Sequence, residues 1–248
     1  MTTDVFTFYD IDSADHTSWS PATLRTYYTL VHLSLPYVRR PVCMADVASV
    51  SASLGAPQRP EGARLRYTLP TLVLPKSGEV VNDSVDIAKR LQALGHGDDA
   101  FWDWKRHDDA FVPALSSLTF DDHYVNILPY VPELLDDRGR QYFYDTRNAW
   151  FPKTLQAYRD DQSANDPVAD VVRVVEPFAS LYDGSAPFLN GTSLSYTDIC
   201  VAAFLGWVAF ARGRQTMDAA LKAAHGGSLE PLWKWVGDNL ALPHAADK

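Results

Sequence analysis

The segment His16-Thr-Ser-Trp-Ser-Pro-Ala-Thr-Leu-Arg-Thr26 holds a serine directly before a proline, in a setting where a hydroxyl could do chemistry. Ser20 suits a helix N-cap and Pro21 the first helical position, where the missing N–H costs nothing. Leu24, Tyr27, Tyr28 and Val31 then recur at i, i+3, i+4 and i+7, one face of a helix. A hydroxyl at that position lies beside free backbone N–H groups and a partial positive charge. Such a place can hold an anion, including a thiolate. The plainer reading is that Ser20 only caps its helix. A second pair, Asp83-Ser84, opens a helix with Ile87, Ala88, Leu91 and Leu94 on one face. Ser84 is a cap candidate and Asp86 sits in the first turn, where negative charge is favoured. Alternatively, these two small polar residues could grip a ligand's ammonium and carboxylate.

The elements that must position these residues follow from the patterning. Val5 to Ile11 reads as a buried strand, Asp12 to Trp19 as a polar loop, and Ser20 to about Leu35 as a helix stopped by Pro36. Tyr37 to Val42 reads as a second strand, so a parallel pair with a right-handed crossover is expected. Ala45 to Leu54 is weakly helical, and Gln58 to Gly62 is a Pro/Gly loop. Pro70 interrupts the strand-like run Arg66 to Pro75, and on residue statistics its peptide bond is trans. Lys76 to Glu79 is a turn and Val80 to Asn82 a short strand, which closes a mixed four-stranded sheet in the order β-α-β-α-β-β-α.

Gly95 to Asp99 is flexible and polar, and it divides a first domain of residues 1–95 from a second of 100–248, with 96–99 as linker. From Ala100 onward the periodicity is helical. Phe101 to Ile127 reads as one long helical region bent at Pro113, Tyr130 to Leu135 as a loop or short turn, and Gly139 to Asp160 and Val168 to Leu181 as further helices. Ser195-x-x-Asp198 matches a capping box with Asp for Glu, and Leu194 and Ile199 can form its hydrophobic staple. The run after it is apolar all round, which implies a buried helix; these residues serve folding, not chemistry. Leu229 to Leu240 marks a last amphipathic helix and Pro243 to Lys248 a frayed tail.

Composition narrows the function classes. The chain has 248 residues, 46% of them hydrophobic, and a formal net charge of −9. It has no basic run, so a nucleic-acid partner is not expected. No apolar run reaches the roughly 18–20 residues that span a bilayer, and the acidic, polar start is no signal peptide. Cys43 and Cys200 form no metal or redox motif, which points to the reducing cytoplasm and to no bound metal.

The β-α-β unit, the Tyr-Thr-Leu-Pro run at 67–70, the hairpin and the Asp-Ser helix start together resemble the thioredoxin-like domain of a cytosolic glutathione transferase. The capped, buried helix after Ser195 resembles the core helix of that family's all-helical second domain. The resemblance spans about residues 4–240. Trp19 to Tyr27, Tyr142 to Arg147 and Phe151-Pro152 are similar to the serine-type FuA class of fungi, related to the bacterial β-etherases. Leu24 departs from the pattern, since a tryptophan commonly stands there, and Cys43 to Arg64 matches poorly. The resemblance implies glutathione as co-substrate and a cis bond before Pro70. It implies that Leu69 pairs its backbone with the cysteinyl part, and that Asp83 and Ser84 bind the γ-glutamyl end. For the glycine end, Arg40 and Gln58 are candidates. A homodimer is implied as well.

A free thiol titrates near 8.5, and lowering that by two units needs about 2.7 kcal/mol of preferential anion stabilisation. One hydroxyl donor to an anion supplies roughly 1.5–3 kcal/mol, and a helix N-terminus about 0.3–1 kcal/mol more. A serine that keeps its proton therefore suffices. Ser20 is the first candidate for that donor; Ser18, two residues earlier, and Tyr9, at the end of the first strand, compete with it. The electrophile site is expected between the domains, walled by Trp19 and by Phe111, Leu115 and Leu118 of the long helix. Two functions follow. One is a transferase that conjugates glutathione to small aromatic compounds, reduces peroxides or cleaves aryl ethers. The other is a ligandin that binds aromatic or phenolic compounds with little turnover. A third, a fold kept only for protein association, predicts no glutathione binding.

Overall fold

In a computed structural model the described residues are 5–240; the tail expected at Pro243 to Lys248 lies outside them. The first half is built on strands β1 (Phe6–Ile11), β2 (Tyr37–Val42), β3 (Thr71–Val73) and β4 (Val80–Asn82). Their order across the sheet is β2-β1-β3-β4. β1 runs parallel to β2 and antiparallel to β3, and β3 runs antiparallel to β4, so the sheet is mixed as expected. Phe6 and Phe8 point into the core from alternate positions of β1, as the pleat requires.

Three helices belong to this half: α1 (Pro21–His32), α2 (Val47–Ser53) and α3 (Ser84–Ala93). The element order is the expected β-α-β-α-β-β-α.

The second half is helical. The expected long helix of 101–127 is broken. Helix α4 (Trp104–Arg106) passes through a wider π-type turn (His107–Phe111) into α5 (Val112–Ser116), where the helix stops. Polar side chains end it: Ser117 Oγ donates back to the Ala114 carbonyl at 2.7 Å, and Thr119 is held by His123 and Asp122 in a local turn. Tyr130 to Leu135, expected as a loop or short turn, falls mostly within 3₁₀ turns (Leu128–Leu134) with Pro132 inside. The expected helix of 139–160 is two: α6 (Asp137–Arg147) and α7 (Leu155–Asp161), separated by a tight turn and Pro152. Asn148 Oδ1 accepts from Leu155 N across this break, and Thr154 caps α7.

Helices α8 (Pro167–Ala179), α9 (Tyr196–Arg212), α10 (Arg214–Ala223) and α11 (Glu230–Asn239) complete the bundle. From Tyr196 to Ala209 every residue of α9 is buried. The capping box at its start is complete, with Ser195 and Asp198 satisfying each other's backbone N–H groups. Helix α9 also meets α1. A Cβ added at Gly206 would lie 3.1 Å from Tyr28 Oη and 3.2 Å from Leu24 Cδ1, so the absence of a side chain there sets how near α1 can come.

Candidate functional site

A cleft of about 240 Å³ opens between the sheet half and the helical half. Ser20, Leu69 and Asp83 line it from the first half, and Tyr142, Arg147 and Trp150 from the second.

Ser20 has extended backbone angles and its carbonyl accepts from Leu24 N at 2.8 Å, so it stands at the N-cap of α1. Its side chain makes no capping hydrogen bond. The hydroxyl is therefore not consumed by the helix, and the residue faces the cleft with Pro21 and Ala22. The positive end of the α1 dipole points at the same space.

The other two donor candidates sit elsewhere. Ser18 has no exposed surface; it is packed beside the Asp10 carboxylate and, with Arg39 and Thr23, favours that carboxylate's charged form. Burial acts in the opposite sense and prevails, so the Asp10 pKa is raised. Arg39 Nε donates to Asp10 of β1 at 2.6 Å, and its Nη1 donates to the His16 carbonyl at 2.5 Å, which ties the loop before α1 to β2. Tyr9 pairs in β1 opposite Arg40 and Thr71, packs against the core and does not line the cleft.

Leu69 and Pro70 are joined by a cis peptide bond, as the resemblance implies. Asn82 Nδ2 donates to the Thr68 carbonyl at 2.8 Å and to the Pro70 carbonyl at 3.0 Å, one on each side of Leu69. Among the described residues, the backbone N–H and C=O of Leu69 have no partner in the protein. This bracing by Asn82 escaped the sequence reading, which took the residue as the end of a strand. Asp83 has φ 82° and its carboxylate accepts from Val85 N at 2.9 Å. It lines the cleft, whereas Ser84 is buried at the start of α3, its carbonyl accepting from Tyr196 Oη at 3.1 Å.

Arg40 is exposed on β2, the edge strand, away from the cleft. Gln58 is also exposed; it donates to Tyr67 Oη at 2.9 Å and accepts from Arg66. Neither lines the cleft, but Arg59 does. The loop from 57 to 66 carries several arginines of equal appearance, and nothing in their spacing tells which one turns inward.

Trp19 lines the cleft as expected, its indole N–H donating to the Asp12 carbonyl at 3.0 Å. Phe111, Leu115 and Leu118 do not. Phe111 is buried inside the bundle, 5.7 Å from the Phe178 ring and 4.8 Å from the Arg25 guanidinium. The early end of α5 turns this wall away. Its place is taken by α6, by the turn after it and by Trp207 of α9. Among the described residues no group of three or more His, Cys, Asp or Glu is placed to hold a metal ion, and no helix is long and apolar enough to cross a membrane.

A thioredoxin-like sheet followed by a helical bundle, with a cleft between them, defines the class. The family model of the glutathione S-transferase C-terminal domain matches residues 108–238, and the chain belongs to that family. A glutathione S-transferase-like protein of Aspergillus flavus, ustS, is 29% identical over 219 residues, covering 81% of this chain and 79% of its own. Among solved structures, the glutathione transferase GSTFuA3 of Phanerochaete chrysosporium is similar at 25% identity and a TM-score of 0.74, with 95% of this chain and 97% of that one covered. A glutathione S-transferase of Ceriporiopsis subvermispora, solved in complex with glutathione, shares the fold at a TM-score of 0.78 and 22% identity, covering 96% and 99%.

Proposed function

We propose that this chain is a serine-type glutathione transferase in which Ser20 donates to the glutathione sulfur and holds it as the thiolate. The observation that carries this reading is a cleft-facing N-cap serine whose hydroxyl caps nothing. In the same reading the first 95 residues hold glutathione. The free backbone groups of Leu69 take the cysteinyl part, Asp83 and Ser84 the γ-glutamyl end, and Arg59 the glycine carboxylate. Residues 100–248 supply the wall for the second substrate. The thiolate attacks the electrophilic atom, the leaving group departs with the bonding pair, and Ser20 keeps its proton throughout. Conjugation, peroxide reduction and ether cleavage are all accessible to such a thiolate.

The test is calorimetric titration with glutathione, followed by the ultraviolet thiolate absorbance of the complex as a function of pH. Ser20→Ala is expected to raise the pKa of bound glutathione by about one to two units, the equivalent of one hydrogen bond to an anion. Turnover of an aromatic electrophile at neutral pH should fall about 10- to 100-fold. An unchanged pKa in Ser20→Ala would remove Ser20 from the role. The rings of Trp19, Tyr142, Phe143, Trp150 and Trp207 around the cleft also support a ligandin. Tight binding of a phenolic compound with feeble turnover in the presence of glutathione would favour that reading.

A further inference from the structure

Arg147, the last residue of α6, lines the cleft and is only 6% exposed. Its Nη1 donates to Thr146 Oγ1 at 2.7 Å, and the Tyr142 phenol is its other polar neighbour. No carboxylate among the described residues contributes to its environment. The chain is not short of them, with 31 Asp and Glu against 22 Lys and Arg. Burying a guanidinium with neutral partners alone is costly, and natural proteins ordinarily supply a counter-charge. Burial pulls the Arg147 pKa below its ordinary value, in keeping with an unneutralised cation.

Aromatic rings hold it in place instead. The guanidinium carbon lies 4.7 Å from the Trp150 ring centroid, 4.9 Å from Phe143 and 5.9 Å from Tyr142. Rings in these positions orient a cation without cancelling its charge. The rings and the cation thus face one space, which suits a ligand with an apolar ring and an anionic group. Arg147 belongs to the helical side of the cleft, whereas Ser20, Leu69, Asp83 and the exposed Arg59 belong to the sheet side.

We propose that Arg147 is a specificity-determining residue for the second substrate, and that this substrate is an aromatic compound bearing a carboxylate or phenolate, whose negative group the guanidinium receives. As a statement about the acceptor, this rests on the transferase reading above. The binding site itself is testable without glutathione.

The experiment is calorimetric binding of 4-biphenylcarboxylate and of its neutral primary amide to the full chain, with no glutathione present, for wild type and Arg147→Met. Arg147→Gln takes its place should the methionine variant fail to fold. Wild type should bind the carboxylate on the order of 10- to 100-fold more tightly than the amide, the span of one or two charge-assisted hydrogen bonds. In the neutral variant the two affinities should agree within about threefold, while amide affinity and glutathione affinity change little. Equal binding of both probes by wild type would overturn the proposal. So would a variant that keeps the carboxylate preference, or one that loses glutathione affinity instead, which would assign Arg147 to a glutathione carboxylate. A wild type that prefers the carboxylate through Arg147 yet binds no glutathione would sink the transferase reading and leave the anion site standing.

Discussion

At the scale of single residues, the chemistry turns on which polar groups the fold leaves free. Ser18 and Ser20 are two residues apart and of one type, yet one is buried beside the Asp10 carboxylate and the other faces the cleft. Replacing Ser18 with alanine should therefore lower stability and leave the pKa of bound glutathione unchanged, the opposite of Ser20→Ala; thermal unfolding and thiolate titration in parallel separate the two. The cysteines follow the same logic. Burial pushes the Cys200 thiol up to about 11. Burial, with Asp136 adding to it, also raises Cys43, which is only part-buried. A raised thiol pKa means less thiolate at neutral pH, so both should react with an aromatic disulfide more slowly than a free thiol. The rate at Cys43 should climb about tenfold per pH unit between 7 and 8.5, and Cys200 should react only after denaturation. Rapid modification of two thiols per folded chain at pH 7 would contradict this.

At the scale of elements, the start of α9 holds the helical half together. The Asp198 carboxylate accepts from Tyr182 Oη at 2.8 Å, Leu189 N at 3.0 Å, and both the backbone and the hydroxyl of Ser195 at 2.9 and 2.6 Å. Asp198→Ala strands four donors in a buried place, and should cost at least about 3 kcal/mol in denaturant unfolding. A loss under about 1 kcal/mol would show that water or neighbouring groups replace the carboxylate. The break between α6 and α7 has a different consequence. One helix over 139–160 would carry Trp150 onward along the α6 axis. The turn at 148–150, stitched by Asn148 to Leu155, instead takes the chain off that axis just after Arg147, and Arg147 and Trp150 both line the cleft.

At the scale of the whole molecule, the two halves meet where each keeps its polar pair. Tyr196, in the first turn of α9, donates its phenol proton to the Ser84 carbonyl at the start of α3, and its backbone N–H donates to Phe101 at 2.7 Å. This joins the capping box of one half to the Asp83-Ser84 corner of the other. Tyr196→Phe removes about 1 kcal/mol and should lower the thermal midpoint by about 2–4 °C as a single transition. A split into two transitions would mean that the halves unfold separately.

The strands, α1, the hairpin, the capping box and the buried α9 were legible in the residues because each has a local signature: alternation, a 3.6-residue period, a proline at N1, a serine three residues before an aspartate. Ser20 as an N-cap was legible for the same reason. Whether its hydroxyl is spent on capping was not, since that depends on a rotamer and on what stands opposite. Apart from Trp19, the cleft wall was also not legible. Where α5 ends is decided by Ser117, Thr119 and His123 competing for backbone groups, and which arginine turns inward is decided by packing of the loop around it. Local spacing determined the strands, α1, α3 and α9 with their caps; the tertiary structure decided where the longer helices break and which rings beside Trp19 and which cations share the cleft, because that requires segments far apart in the chain to meet.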